Sequence, residues 1–216
     1  MDAVLLDLYD TVARTHWGRL SERITTELGI EKADLFRAYE LTRAARAVGA
    51  YGSAEGDMRA IVEAVGVQPT PELISDLLDL ERDFAEWGVE LYEDSLPVVR
   101  ELRARGMKTA LISNCSHSTR PIVDRLGITA EFDEVLLSFE VGIHKPDPGI
   151  YREALHRLGD VAPERAVFVD DQPPYCDGAA ALGIETFLID RSGDGTSDLN
   201  GHRVIQDLRA LLSVSA

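Results

Sequence analysis

The chain is poor in cysteine, with only Cys115 and Cys176. Two thiols make no disulfide framework, so a small secreted scaffold is excluded and reduced thiols are expected. Long apolar runs are missing as well: nothing approaches the ~18 residues that cross a bilayer. The opening MDAVLLDLYD has no basic leader and carries acids inside its apolar stretch, so a signal peptide is not expected and the chain reads as cytoplasmic. Positive charge is also scarce, with 22 basic against 38 acidic residues and a net of −16. A field of that sign repels phosphate backbones and anionic membranes, so neither nucleic acid nor membrane is expected as a partner. A small anionic substrate stays open, because one local site can reverse the global sign. Lysine is the rarer cation, confined to Lys32, Lys108 and Lys145. A lysine in a functional context is therefore informative.

What remains is ordinary globular material. At 216 residues, 45% hydrophobic and 28% charged, the chain fits one large domain or two small ones. VLLDLY, Val4 to Tyr9, reads as a buried strand. From about Arg14 to Gly88 the pattern is helical only. Leu20, Ile24 and Leu28 form one face. Leu35, Phe36, Tyr39 and Thr42 form a second. Ser53 caps a third helix carrying Met58, Ile61 and Val62. Thr70-Pro71 opens a fourth that carries Leu73, Ile74, Leu77, Leu78, Phe84 and Trp87. Strands then alternate with helices: strands at Thr109–Ser113, Val135–Ser138, Ala166–Val169 and Thr186–Ile189, and helices at Pro97–Arg105, Thr119–Leu126, from Asp147-Pro148 to Gly159, and Asp177–Leu182. Arg191 to Gly201 reads as a polar loop, followed by a last short strand and helix. Alternation of this kind predicts an α/β fold with a Rossmann-like, doubly wound parallel sheet. The predicted division is a core of 1–13 and 89–216 with a four-helix cap, 14–88, inserted after the first strand. An insert there lies over the carboxyl ends of the strands, where open parallel sheets bind ligands.

Four polar clusters fall at predicted strand ends: Asp7-Leu8-Tyr9-Asp10-Thr11, Ser113-Asn114, Lys145 in HKPDP, and Asp170-Asp171. In these segments the chain resembles the haloacid dehalogenase-like (HAD) hydrolase superfamily over nearly its whole length. DLYDT is similar to that family's first motif, LISN to its second, EVGIHKPDPGIY to its lysine motif and FVDDQPPYCDGA to its acidic fourth motif; the helical insert lies where the C1-type cap does. The resemblance implies that Asp7 is a nucleophile forming a covalent aspartyl intermediate. It implies Mg²⁺ held by the Asp7 carboxylate, the Tyr9 backbone carbonyl and Asp171, with Asp170 beside them. It further implies that Ser113 binds the transferring group, with Asn114 donating beside it, and that Lys145 neutralises nucleophile and transferring group. Asp147-Pro148 reads as a helix start without chemistry.

One position departs from the family pattern. Phosphatases of the family carry an acid two residues after the nucleophile, where this chain has Tyr9; Asp10 is one residue late, and strand alternation turns it away. A missing general acid typically costs ~10²–10⁴-fold in rate. The family's dehalogenases also lack that acid, because a halide leaves without a proton, and they use a cap arginine, for which Arg37 stands at a matching distance. Asp170-Asp171 argues for a metal and hence against them. The expectation is a Mg²⁺-dependent hydrolase of a small phosphorylated metabolite. Two alternatives stay open: a metal-independent 2-haloacid-dehalogenase-like hydrolase, and a turnover-deficient binding or regulatory protein. His16 at the cap hinge is a weaker candidate for a displaced acid. Either a monomer or a homodimer fits.

Overall fold

The computed structural model describes residues 1–193 and 201–213; residues 194–200 of the expected polar loop lie outside the described residues. Chain order begins with strand β1 (Ala3–Leu6), strand β2 (Ala13–Thr15) and helices α1 (Trp17–Leu28), α2 (Lys32–Ala47), α3 (Ala54–Ala64) and α4 (Pro71–Trp87). There follow β3 (Val89–Leu91), α5 (Ser95–Ala104), β4 (Lys108–Ser113), α6 (Thr119–Arg125), α7 (Ile128–Glu131), β5 (Glu134–Leu137), α8 (Ser138–Val141) and α9 (Pro148–Arg157). Strand β6 (Ala166–Asp170), α10 (Pro173–Ala180), β7 (Glu185–Ile189) and β8 (Arg203–Ile205) complete the alternation, with 3-10 turns at Pro163–Arg165 and Leu208–Ser213.

Six strands form one parallel sheet in the order β5-β4-β1-β6-β7-β8. The chain moves one way from β1 through β4 to β5, then returns to the other side of β1 with β6. That reversal puts the ligand crevice of a doubly wound sheet at the carboxyl ends of β1 and β6. Period-two alternation divides β1 between two cores: Val4 and Leu6 face the side shared with the inserted helices, and Ala3 and Leu5 pack toward α9.

The insert forms because each helix has an apolar stripe and a defined start. The Ser53 hydroxyl accepts the Gly56 N–H at 3.1 Å and the Thr70 hydroxyl accepts the Leu73 N–H at 3.3 Å, so α3 and α4 open on side-chain caps. A two-stranded antiparallel ribbon of β2 and β3 closes the insert at its base. The sequence pattern did not show this ribbon, since three-residue strands have no period to read. Two more readings differ from the structure. Phe36 is exposed rather than on the buried face of α2, which presents Leu35, Ala38 and Thr42 inward. Helix α10 starts at Pro173, four residues before the expected Asp177, because two prolines in a first turn cost no hydrogen bond.

Insert and sheet are packed as one body. Gly49, with φ +67°, comes so close to the backbone of Phe139 that an added Cβ would lie 2.5 Å from its carbonyl oxygen. The Arg125 side chain donates to the Ala85 and Val89 carbonyls, both at 2.5 Å. Asp57 on α3 accepts from both the backbone N–H and the ring of His117, the latter contact being 2.8 Å. Among the described residues, no helix is long and apolar enough to cross a membrane.

Candidate active site

Strand register builds the floor of the site. Leu6 pairs with both Leu111 and Val169, so the next residue, Asp7, comes level with Asp170. Asp7 and Asp170 are buried, and Asp171 follows half-buried in the turn after β6. One oxygen from each of the three carboxylates falls within a span of 4.8 Å. Among the described residues, the one ammonium bonded to this group is that of Lys145, which donates to Asp7 Oδ1 at 2.5 Å and to Asp170 Oδ2 at 2.6 Å.

Two devices aim Lys145. Asn114 clasps its backbone on both sides: the amide nitrogen donates to the Lys145 carbonyl at 2.8 Å, and the amide oxygen accepts the Lys145 N–H at 2.7 Å. Behind the loop, Gly178 of α10 lies so close that a Cβ would stand 2.8 Å from the Pro146 carbonyl oxygen. A larger residue there would displace the loop. Asn114 was expected to face substrate; it lines the cavity, with its amide engaged at both ends by the Lys145 backbone.

Charge is unbalanced in this pocket. Three carboxylates against one ammonium leave a formal −2. Burial raises Asp7 well above the usual carboxylate range; Lys145 pulls it down, while Asp170 and Asp171 push it up. Asp171 is pushed up to about 6, first by burial and then by Asp170. For Lys145, burial works against the ammonium, but Asp170 and Asp7 together hold it above the ordinary lysine range. Such a cluster lacks positive charge, and all its free ligand atoms are oxygen. A hard dication fits that donor set. Asp7 Oδ2 accepts no hydrogen bond among the described residues and Asp171 holds only Gln172, at 2.5 Å, whereas Asp170 is taken by Lys145 and the Gln172 N–H. Among the described residues the Ser113 hydroxyl is buried with no hydrogen-bond partner, and a buried unpaired hydroxyl is costly unless something binds it.

Beside this floor is a cavity of about 530 Å³, a size suited to a small molecule. Lys145, Asn114, Tyr9 and Tyr175 line it from the sheet side, and Trp17, Tyr39, Arg43, Glu81 and Phe84 from the inserted helices. Tyr9 shares a 3.1 Å hydrogen bond with the Thr119 hydroxyl, and burial holds its phenol above the usual range. Its phenol stays protonated, and no carboxyl stands at this position. Asp10 is exposed, with φ +58°. His16 caps the start of α1 near Glu90 and does not line the cavity. Arg37 is a correction: it is exposed, paired with Asp34 at 2.9 Å, and absent from the cavity. The cap arginine that reaches over is Arg43, which donates to the Tyr175 hydroxyl at 2.6 Å. Tyr175 in turn lies against the Lys145 ammonium, 5.1 Å from ring centre to nitrogen.

Sequence reasoning missed Arg43, Tyr39 and Glu81. Nothing distinguishes Arg43 from other helix arginines. Glu81 did leave a signal: Ile74, Leu77, Glu81 and Phe84 share one stripe of α4, and an acid in an apolar stripe is anomalous.

Register, buried lysine and acid cluster define a hydrolase site at the switch point of a Rossmann-like sheet. Comparison with known families agrees: the model of haloacid dehalogenase-like hydrolases matches residues 1–183, and the chain belongs to that family. It is 31% identical over 200 residues to the glyceraldehyde 3-phosphate phosphatase of Methanopyrus kandleri, covering 88% of this chain and 84% of that one. It is also 31% identical over 131 residues to (S)-2-haloacid dehalogenase 1 of a Pseudomonas species, covering 60% of this chain and 55% of that one. A HAD-family enzyme of Bacteroides thetaiotaomicron, solved with magnesium and inorganic phosphate, has the same fold at a TM-score of 0.71 and 20% identity, covering 91% and 98% of the two chains.

Proposed function

We propose that the chain hydrolyses a small phosphate monoester through an aspartyl phosphate on Asp7, with Mg²⁺ held by Asp7, Asp171 and the Tyr9 carbonyl. The observation that carries this is the three-carboxylate cluster around a single lysine. Halide displacement needs one nucleophile and one cation, and gives no reason for two further acids, one buried and one half-buried, beside them. The phosphatase and the magnesium complex among the similar proteins support the same reading.

The chain's residues divide the work as follows. An Asp7 carboxylate oxygen attacks phosphorus, and the bond from phosphorus to the leaving oxygen breaks. Lys145 stays protonated between Asp7 and Asp170 and stabilises the transferring group. Ser113, unpaired in the fold, donates to a phosphoryl oxygen. Water then attacks the aspartyl phosphate and releases inorganic phosphate. The metal, when bound, supplies charge neutralisation that lets an anionic nucleophile meet an anionic ester. Because Tyr9 is no acid, the leaving oxygen takes its proton from water, which favours leaving groups that are stable as anions.

A specific observation favours one competitor. Tyr9 at the acid position, in a cavity that Trp17, Tyr39, Phe84 and Tyr175 also line, also suits a dehalogenase. Phosphate release from a panel of aryl and alkyl phosphates, with magnesium and with a chelator, separates the two. Magnesium-dependent release, faster from aryl esters, is expected; chelator-insensitive halide release from 2-haloacids would reverse the assignment.

A further inference from the structure

The cap side of the cavity contains polar atoms that the fold leaves unpaired. The Glu81 carboxylate accepts no hydrogen bond among the described residues, and the Tyr39 hydroxyl is buried without a partner. Both line the cavity. Behind them, Asp57 binds His117 through Oδ2 while its Oδ1 is buried and unpaired. Burial pushes the Glu81 carboxyl up to about 7, Asp57 adds to the rise, and Arg46 opposes it. Arg46 does not satisfy Glu81: its guanidinium donates to the Thr42 hydroxyl at 3.0 Å and the Tyr39 carbonyl at 2.9 Å, and stacks on the Tyr39 ring. The wall therefore holds a free acceptor with a second acid behind it and a free hydroxyl. The aromatic side chains of Trp17 and Phe84 line the same cavity. The buried Tyr39 hydroxyl costs about 1–3 kcal/mol while it has no partner, and that cost is recovered when a ligand supplies one.

We propose that Glu81 and Tyr39 form a subsite for a protonated amine, so that the substrate is the phosphate ester of an amine-bearing alcohol or phenol with an apolar frame. An ammonium donates to the carboxylate and to the tyrosine oxygen while its flanking carbons lie on the rings. The phosphate end of this assignment rests on the function proposed above; the amine end rests on the cap alone.

The test compares tyramine phosphate with 4-propylphenyl phosphate, which has the same shape with a methyl in place of the ammonium. Both are aryl esters, so the missing acid at Tyr9 does not limit either. The wild-type chain is expected to prefer the amine in kcat/KM by about ten-fold or more, the scale of a hydrogen bond to a charged group. Glu81→Gln should bring the ratio close to one, and Tyr39→Phe should lower it by a smaller factor. A wild-type ratio near one, or a Glu81→Gln ratio equal to that of wild type, overturns the subsite. If neither ester is hydrolysed, the phosphatase proposal fails on its own. Calorimetry with tyramine and 4-propylphenol then decides the subsite: tighter tyramine binding that is lost in Glu81→Gln supports it, and equal binding of the two overturns it.

Discussion

Apart from the Ser113 hydroxyl and Asp7 Oδ2, which the floor leaves open, the sheet floor and the cap wall on either side of one cavity treat their polar atoms in opposite ways. On the floor, Lys145, Asp170 and Asn114 are locked to one another by bonds of 2.5–2.8 Å counting the link to Asp7. On the cap wall, neither Glu81 nor the Tyr39 hydroxyl makes a hydrogen bond among the described residues. A reaction centre must hold its geometry before substrate arrives, since preorganised charge does the catalytic work. A recognition surface gains by leaving its partners to the ligand. The contrast suggests that chemistry and selectivity are kept in separate layers of this molecule.

Breaking the floor should have the largest effect. Lys145→Met removes the cation between two buried carboxylates and leaves both uncompensated. Loss of one partner of a buried ion pair costs about 3–5 kcal/mol, and denaturant unfolding should show a loss of that size near neutral pH. A change within the noise would mean that the floor is not a tightly coupled unit.

The cap wall should respond to pH instead. Glu81 titrates at about 7 in the fold, against an ordinary 4.5. A carboxyl raised in this way supports the fold fully below its unfolded value, and the support is lost as pH rises through the folded value. Relative to Glu81→Gln, the wild-type chain should lose stability between about pH 5 and about pH 8, on the order of 3 kcal/mol at most. Parallel pH profiles of the two would place Glu81 in water rather than in a closed wall.

Tyr9, where the two layers meet, sharpens the comparison with the smallest expected effect. Tyr9→Asp puts an acid two residues after the nucleophile. Turnover of alkyl phosphates should rise about ten-fold, short of the ~10²–10⁴ that a fully positioned acid supplies, and the aryl preference should narrow. If every substrate slows, Tyr9 shapes the pocket for another reaction.

Legibility in the sequence follows the same division. Strand alternation and helix caps made the parallel sheet and the inserted helices readable, and Asp7 and Asp170 stood at the ends of two strands that register brings level, while Lys145 reaches them from the loop between α8 and α9. Local pattern decides those positions. The cap wall depends on how α2 and α4 rotate against the sheet, which no local period reveals, so Arg37 was expected where Arg43 stands. Asn114 fell between the two cases: its place was readable, but its engagement with the Lys145 backbone depends on a loop thirty-one residues away.

The central claim is a phosphoryl group carried by Asp7. Rapid acid quench during turnover of p-nitrophenyl phosphate with magnesium, followed by mass spectrometry of the Asp7 peptide, tests it directly. A phosphoryl adduct on that peptide is predicted, lost with a chelator and absent in Asp7→Asn. No phosphoryl adduct under any condition, together with a carboxyalkyl ester on Asp7 formed from a 2-haloacid without magnesium, would contradict it.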